Sequence, residues 1–129
     1  MSSYGNSSSP WAAKALSVLR IVAALCFLEH GTGKMLGFPV LPAVPPMYSL
    51  GWFGGWIELI GGALLLVGFF SRPVAFLMSG EMAVAYFTAH LPRNFFPVIN
   101  GGDAAILYCF IFLYLVFAGP GPWSIDAKR

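Results

Sequence analysis

The sequence WFGGWIELIGGALLLVGFF occupies residues 52–70, and PVAFLMSGEMAVAYFTAHL follows at residues 73–91. At about 1.5 Å per helical residue, a stretch of roughly 20 apolar residues crosses about 30 Å of hydrocarbon. Ser71 and Arg72 alone separate the two stretches, which leaves room for nothing but a tight turn. Pro73 suits the first turn of a helix, where its missing N–H is not needed. The pair therefore predicts a helical membrane hairpin.

Two further apolar stretches flank this hairpin. The connectors at residues 37–51 and 92–100 are rich in proline and aromatic residues, which is typical of irregular backbone at a membrane interface. The sequence predicts an all-α protein, a four-helix antiparallel transmembrane bundle, with spans at about 14–35, 52–70, 73–91 and 101–118. These spans form a domain at 14–119, between a polar N-terminal tail at 1–13 that we expect to be disordered and a short C-terminal tail at 120–129.

The composition points to lipid as the surrounding solvent. Of the 129 residues, 58% are hydrophobic and 9% are charged, and the mean hydropathy is +0.77. Soluble domains carry about 25% charged residues, so these few charges could not cover a water-facing surface. A net charge of +2 with no basic run does not indicate nucleic acid as a partner. Cys26 and Cys109 lie in separate spans, which does not indicate a disulfide framework or a zinc knuckle.

The distribution of Lys and Arg predicts the orientation, because these residues are retained on the cytoplasmic side. Lys34 and Arg93 fall at the connector side of the spans. The opposite side, with both termini and the hairpin turn, has five basic residues: Lys14, Arg20, Arg72, Lys128 and Arg129. We therefore expect a multi-pass protein of the cell inner membrane with both termini cytoplasmic and both connectors outward.

Each predicted span contains or borders one acidic residue, and such residues are costly in lipid and usually face a bundle interior. Counting along the helices puts Glu81 near mid-membrane. Three other acids fall in the outer half, together with His30 and Lys34; they are Glu29, Glu58 and Asp103.

Helical spacing indicates which of these side chains face one another. Glu58 has glycines three and four positions away on both sides, which favours close helix contact and leaves volume for water or a small ligand. His30 and Lys34 share one helix face. His90 lies about half a turn from Glu81, so these two need not line one cavity. The predicted ligand or proton-handling pocket consists of Glu29, His30, Lys34, Glu58 and Asp103, and a second group of polar residues consists of Arg20, Glu81 and His90.

At these residues the sequence resembles the DoxX family of small four-helix membrane proteins. The first span carries the pattern Arg-…-Phe-Leu-x-His-Gly-x-x-Lys from Arg20 to Lys34, and residues 58–68 read Glu-Leu-x-Gly-Gly-x-Leu-Leu-x-x-Gly, with Arg72 after them. Further matching positions are Met82, Ala83, His90, Asn100, Gly101, Gly102 and the Gly-Pro-Gly-x-x-Ser-x-Asp pattern from Gly119 to Asp126. Two positions depart from the family pattern: Asp103 replaces Glu, and Trp123 replaces an Arg-Tyr-like position.

The resemblance implies a link to redox chemistry. The family takes its name from a subunit associated with archaeal quinone-dependent sulfur oxidation, and relatives are associated with membrane redox complexes or enzyme maturation. A quinone is therefore the first ligand class to consider, with a partner redox protein or a second copy of the chain as partner.

Two interpretations of the polar layer remain open at this point. Carboxylates beside His and Lys suit a ligand or proton site, and they equally suit a salt-bridge network that holds the helices in register. A haem held by His30 and His90 ranks below both, because the sequence fixes no geometry that aims two imidazoles at one iron. A metal held by Glu58, His30 and Asp103 ranks equally low, because no Glu-x-x-His spacing of the di-iron kind occurs. We expect Arg20 to snorkel or to pair with an acid, and Ser124 and Asp126 to organise the chain after the last helix.

Three functions follow from these observations. The leading hypothesis is an integral membrane subunit of a quinone-linked redox system, an oxidoreductase component whose catalytic residues the sequence does not identify. The alternative is a non-enzymatic assembly, maturation or anchoring protein for a partner enzyme. A transporter ranks third, because four helices leave little machinery for alternating access unless the chain oligomerises.

Overall fold

The computed structural model describes residues 10–128, and helices make up most of this range. The α-helices are α1 Pro10–Leu36, α2 Leu50–Val67, α3 Ser71–Ala85, the single turn α4 Pro97–Asn100, and α5 Asp103–Ala118. After α3 the chain continues as a π-helix, Tyr86–His90, and a 3₁₀ turn, Leu91–Arg93; a second 3₁₀ turn, Asp126–Lys128, ends the described chain. Residues 10–128 contain no strand, so the prediction of an all-α fold is confirmed.

Three helical segments are long and apolar enough to cross a membrane: Pro10–Leu36, Leu50–Val67 and the continuous run Ser71–Arg93. The remaining apolar helix, α5, has 16 residues and is shorter than the predicted fourth span. The described range thus holds five α-helices, four of them long, where the sequence predicts four. The disorder expected for the tail concerns residues 1–9, which lie outside the described residues, whereas residues 10–13 belong to α1.

The turn between α2 and α3 follows from local sequence. Gly68 ends α2 with φ of 74°, and its N–H bonds to the carbonyls of Leu64 and Leu65. A left-handed residue that closes the last helical turn in this way is commonly glycine, because a Cβ is disfavoured there. At the other end of α2, the hydroxyl of Ser49 accepts a hydrogen bond from the Trp52 N–H at 3.2 Å, which caps the helix.

The long helices form two closely packed pairs, α1 with α2 and α3 with α5, and contacts between the pairs are sparser. Within the first pair the helices are antiparallel, because Arg20 contacts Leu66 near one end and Lys34 contacts Glu58 towards the other. Glycine permits this packing. A Cβ on Gly31 would lie 2.6 Å from the Cα of Leu59, closer than atoms can approach. The close pair therefore depends on the absence of a side chain at this position.

The bundle has two ends. The connector end holds residues 37–49 and 91–102. The hairpin end holds the turn at residues 68–70 and the C-terminal segment 119–128. Between them lies a core of buried aromatic and aliphatic side chains, in which the rings of Phe27 and Phe112 meet edge-on with centroids 4.9 Å apart.

At the hairpin end, the C-terminal segment folds back against α1 and the turn. The Arg20 guanidinium is fully buried and donates hydrogen bonds to the carbonyls of Pro120, Trp123 and Leu66. Arg20 therefore does not snorkel, and its hydrogen-bond acceptors here are main-chain carbonyls. The reason is that a chain segment packed at the end of a bundle presents carbonyls that need donors, and a guanidinium carries five.

Ser124 and Asp126 organise this same segment. The Asp126 carboxylate accepts hydrogen bonds from the N–H groups of Phe70 and Ser71, at 3.1 and 2.8 Å, and so caps α3. The Ser124 hydroxyl donates to the Gly121 carbonyl at 2.9 Å and accepts from the Ala127 N–H at 3.1 Å. The structural role expected for these two residues after the last helix is confirmed.

Candidate functional site

A cavity of about 920 Å³ lies between the two helix pairs towards the connector end. All four long helices and the π-helix contribute to its walls. Most of the lining is apolar, and polar groups enter at a few points: Lys34, Glu58, Glu81, His30, His90, Thr88 and Tyr108. Such a balance, a mostly apolar cavity with a few convergent polar groups, is typical of small-molecule sites.

Lys34 and Glu58 form an ion pair that joins α1 to α2 at the cavity. The ammonium nitrogen donates a hydrogen bond to Oε2 of Glu58 at 3.1 Å, and Oε1 lies 3.0 Å away in a contact that is an ion pair without hydrogen-bond geometry. The Glu58 side chain is 3% exposed and that of Lys34 is 24% exposed. The carboxylate is therefore held inside the bundle, and the ammonium lies at the cavity wall.

Glu81 on α3 reaches across to this pair. Its carboxyl group lies within hydrogen-bonding range of Glu58. Gly54 makes the approach possible, because a Cβ there would lie 2.7 Å from Oε2 of Glu81 and 3.6 Å from Oε2 of Glu58. Two carboxyl groups this close together can share a proton, because a protonated carboxyl group donates to a carboxylate. Two acids and one ammonium group thus form a compact cluster at the centre of the cavity.

The depth estimate from sequence placed Glu81 apart from Glu58, and the structure brings them together. The glycines around Glu58 signalled free volume, and a carboxyl group from the neighbouring helix enters the space beside Gly54. The sequence contains the glycine signal, but the side chain that uses the space belongs to a different helix. Counting residues from the helix ends does not show which residues of α2 and α3 lie side by side.

His90 also lines the cavity, although an α-helix would turn it about half a turn from Glu81. The π-helix Tyr86–His90 explains the difference, because the Leu91 N–H bonds to the Tyr86 carbonyl five residues back. A π turn holds more residues than an α turn, so each residue rotates less around the axis and His90 moves towards the Glu81 face. Single π turns of this kind are frequent at functional sites.

Asn100 fixes this end of the cavity, and sequence reasoning placed it only within a family motif. It is buried, and its amide nitrogen donates to the Tyr86 hydroxyl at 3.1 Å and to the Asn94 carbonyl at 2.9 Å. Its side-chain oxygen accepts from the Gly102 N–H at 2.7 Å. Its own carbonyl lies 3.1 Å from Nδ1 of His90. Because a carbonyl can only accept, Nδ1 carries the proton of this bond, and the neutral ring keeps Nε2 as an acceptor.

The remaining predicted residues lie either at the cavity wall or outside the cavity. His30 lines the cavity, and its ring meets the Tyr108 ring edge-on with centroids 6.2 Å apart. Glu29 and Asp103 are exposed, and among the described residues the cavity walls do not include them. Asp103 lies in the first turn of α5, where a negative charge is favourable beside the helix N-terminus. Of the predicted pocket residues, the structure thus brings together His30, Lys34 and Glu58, and adds Glu81 and His90.

Within residues 10–128, no group of three or more His, Cys, Asp or Glu side chains has a geometry that would hold a metal ion. In particular, Glu58, His30 and Asp103 do not form such a group, because Asp103 is exposed outside the cavity. The cluster of Lys34, Glu58 and Glu81 instead suits hydrogen bonding and proton exchange, because an ammonium group donates and carboxyl groups do either.

Comparison with known proteins agrees with these features. Residues 15–91 match the DoxX family. An uncharacterized protein of Haemophilus influenzae is 43% identical over 122 residues, which cover 88% of this chain and 89% of that protein. No solved structure matches the chain. The match over α1, α2 and α3, together with this relative, shows that the chain is a member of the DoxX family, a helical protein with apolar helices that suit a lipid bilayer.

Proposed function

We propose that this protein is an integral membrane subunit of a quinone-linked redox system, and that its cavity binds the head group of a quinone-like small molecule. The observation that carries the proposal is the cluster of Lys34, Glu58 and Glu81 within a mostly apolar cavity of about 920 Å³. Buried ionisable groups inside a membrane bundle are functional-site candidates by default, because structure alone rarely justifies their cost.

The chemistry of the cluster fits a ring with two oxygens. Within residues 10–128, Oε1 of Glu58 and Oε1 of Glu81 are buried and receive no hydrogen bond. A hydroquinone hydroxyl could donate to either oxygen, and a quinone carbonyl could accept from the Lys34 ammonium or from a protonated carboxyl group. Electrons would come from a partner redox protein, whereas the two carboxyl groups would hold and transfer the protons.

The proposed arrangement in the membrane has four crossings. Helix α5 is the fourth, because its 16 residues span about 24 Å and the neighbouring turn α4 extends the segment towards the interface. With both termini cytoplasmic in the inner membrane, the connector end and the cavity face outward. In this arrangement α5 completes the bundle around the cavity within the proposed domain at residues 14–119.

Binding of a quinone probe to the purified protein in lipid nanodiscs tests the proposal. We expect decylubiquinone and its hydroquinone to bind, and Glu58→Gln and Glu81→Gln each to weaken the affinity for the hydroquinone by about tenfold, since its hydroxyl loses a charge-assisted bond to a carboxylate. Glu29→Gln is the matched control, because Glu29 is an exposed acid outside the cavity. If Glu58→Gln and Glu29→Gln affect binding equally, or if the wild-type protein does not bind the probe, the proposal is wrong.

One observation favours the alternative of an assembly or anchoring protein without catalytic chemistry. The Lys34–Glu58 pair joins α1 to α2, so its role could be to hold the helices in register. In that case Lys34→Met would lower thermal stability, because it leaves a buried carboxylate without its counter-ion, and it would leave decylubiquinone binding unchanged. Thermal unfolding and decylubiquinone binding, measured on the same variant, separate the two functions.

A further inference from the structure

The cavity is much longer than its polar cluster. Along α3 and the π-helix its lining extends from Phe76 to His90, which corresponds to about 21 Å of helix. The charged cluster at Glu81 lies within this length, and His90 lies at the connector end. Beyond Glu81, towards the hairpin end, the α3 lining consists of Phe76, Leu77 and Gly80 and is apolar. The cavity therefore has a polar part and an apolar extension.

Apolar residues of α2 and α3 line the cavity on both sides of Glu81. We call the residues here the α2/α3 seam: Phe53 and Ile57 on α2, and Leu77, Gly80 and Val84 on α3. Their spacing of three or four places them on one face of each helix. Phe53, Leu77 and Val84 are 51%, 54% and 48% exposed although all of them line the cavity. These side chains therefore line the cavity and are not covered by another helix.

Gly80 leaves a gap between the side chains of the α2/α3 seam, because it has no side chain of its own. It is exposed, and a Cβ built on it meets no other atom within 4 Å. Gly80 is therefore not required for close helix packing, in contrast to Gly31 and Gly54, whose Cβ positions are occupied. A glycine inside a helix lowers its stability by about 0.5–1 kcal/mol relative to alanine. What the glycine provides here is unfilled space beside the cavity.

We propose that the cavity is entered from the lipid phase through the α2/α3 seam at Gly80, and that its ligand is an amphiphile with a hydrogen-bonding head group and a single apolar tail that lies in this seam. The inference rests on the proposed function and makes its ligand class specific. The head group contacts Lys34, Glu58 and Glu81, and the tail passes over Gly80 between Phe53 and Leu77 into the bilayer. A water-soluble ligand would gain no binding energy from an apolar extension that opens sideways into lipid.

The test compares two probes that share one head group. Decylubiquinone carries a ten-carbon tail, and 2,3-dimethoxy-5-methyl-1,4-benzoquinone carries none. In Gly80→Phe the added ring fills the seam, so we expect the dissociation constant of decylubiquinone to rise by about tenfold or more, because the tail loses its apolar contacts. The dissociation constant of the tail-less probe should change by less than about twofold.

Matched variants separate the selective loss of decylubiquinone binding from general effects of a substitution on the protein. Ala63→Phe adds the same ring to an exposed position of α2 outside the seam, and Gly80→Ala changes the glycine without filling the passage. We expect both to retain wild-type affinity for both probes. Leu77→Trp narrows the seam from a second position and should reproduce the selective loss even if Gly80→Phe folds poorly. Saturable quenching of tryptophan fluorescence in nanodiscs, corrected with empty nanodiscs, measures the dissociation constants.

Three results would overturn the inference. If Gly80→Phe weakens the binding of both probes equally, residue 80 belongs to the head-group site and the seam is not a passage. If the two seam variants weaken neither probe while the wild-type protein binds both, the tail does not use the seam, and the proposed function survives. If the wild-type protein binds neither probe, the proposed function and this inference both fail.

Discussion

Arg20 and Trp123 are joined by a hydrogen bond from the guanidinium Nη2 to the main-chain carbonyl at 2.7 Å, across a separation of 103 positions in the chain. The same guanidinium bonds to the carbonyls of Leu66 and Pro120. One buried side chain therefore ties together α1, the end of α2 and the C-terminal segment. Because the guanidinium itself is buried, these three hydrogen bonds also satisfy donors of its own, which makes Arg20 important for stability.

Arg20→Met should destabilise the protein by about 3 kcal/mol, because three main-chain carbonyls lose a charged donor. Titration with SDS in detergent micelles measures the free energy of unfolding. The control is Arg93→Met, since Arg93 is exposed in the 3₁₀ turn after the π-helix. Carboxypeptidase digestion gives a second readout, because the freed C-terminal segment should be cleaved faster. Equal stability of the two variants would contradict the role assigned to Arg20.

Asp126→Ala should cost about 1 kcal/mol, the usual value for a lost helix cap. Each carboxylate oxygen accepts one N–H at the start of α3, so Asp126→Asn should cost less, because it keeps one acceptor. Lys128→Ala serves as the control, since it removes an exposed charge from the same segment. The order of thermal stability should be wild type, then Asn, then Ala. A larger loss in the Asn variant than in the Ala variant would exclude the cap.

Much of the fold follows from the sequence because helix length and the period of apolar residues are local properties. The hairpin around residues 68–70 needs only a glycine that adopts positive φ and two apolar stretches. The C-terminal Ser124 and Asp126 also follow, since short polar side chains after a helix commonly bond to main-chain groups. The sequence predicts a fourth span at residues 101–118, which is longer than α5. The reason is that Gly101 and Gly102 count as apolar on a hydropathy scale but do not belong to the helix.

The candidate site was only partly predictable, for two physical reasons. The first is register: Glu81 reaches Glu58 because Gly54 leaves room, and this depends on how α2 and α3 align. The second is the π-helix, which changes the rotation per residue and brings His90 onto the cavity. No residue pattern known to us marks such a turn. Glu29, adjacent to His30, shows the reverse case: one residue along a helix is a rotation of about 100°, which is enough to leave the cavity.

Gly31→Ala should destabilise the protein by about 2 kcal/mol, because the new Cβ would overlap the backbone of α2 and force the helices apart. Gly80→Ala is its counterpart on α3, where the Cβ enters open space. This second variant should gain about 0.5–1 kcal/mol from helix propensity. Opposite signs in the same thermal unfolding assay are the expected result. If both variants are destabilised alike, helix packing at Gly31 is not the cause.

Removing one partner of the Lys34–Glu58 pair should cost more than removing both. Lys34→Met alone leaves a buried carboxylate without its counter-ion, and we expect a loss of about 2 kcal/mol, lower than for a fully buried pair because Lys34 is partly exposed. Lys34→Met with Glu58→Leu should recover at least half of that loss. The double-mutant cycle, measured by SDS titration, gives the coupling energy. A coupling energy near zero would show that the ion pair contributes nothing to stability.

Asn100→Ala should lower the affinity for the ligand more than it lowers the stability of the hairpin end. The substitution removes the side-chain bonds to Tyr86, Asn94 and Gly102, and so releases the backbone whose carbonyl holds His90. We expect the affinity for the hydroquinone form of the tail-less probe, whose hydroxyl can donate to Nε2 of His90, to fall by about fivefold. Asn100→Asp keeps the acceptor for the Gly102 N–H, so its affinity should lie between those of this variant and the wild type. His90→Gln provides the comparison, because it removes the ring without disturbing Asn100. If Asn100→Ala and His90→Gln weaken binding to the same degree and their combination adds nothing further, Asn100 acts by positioning His90. Additive losses would instead show that Asn100 supports the cavity independently of that ring.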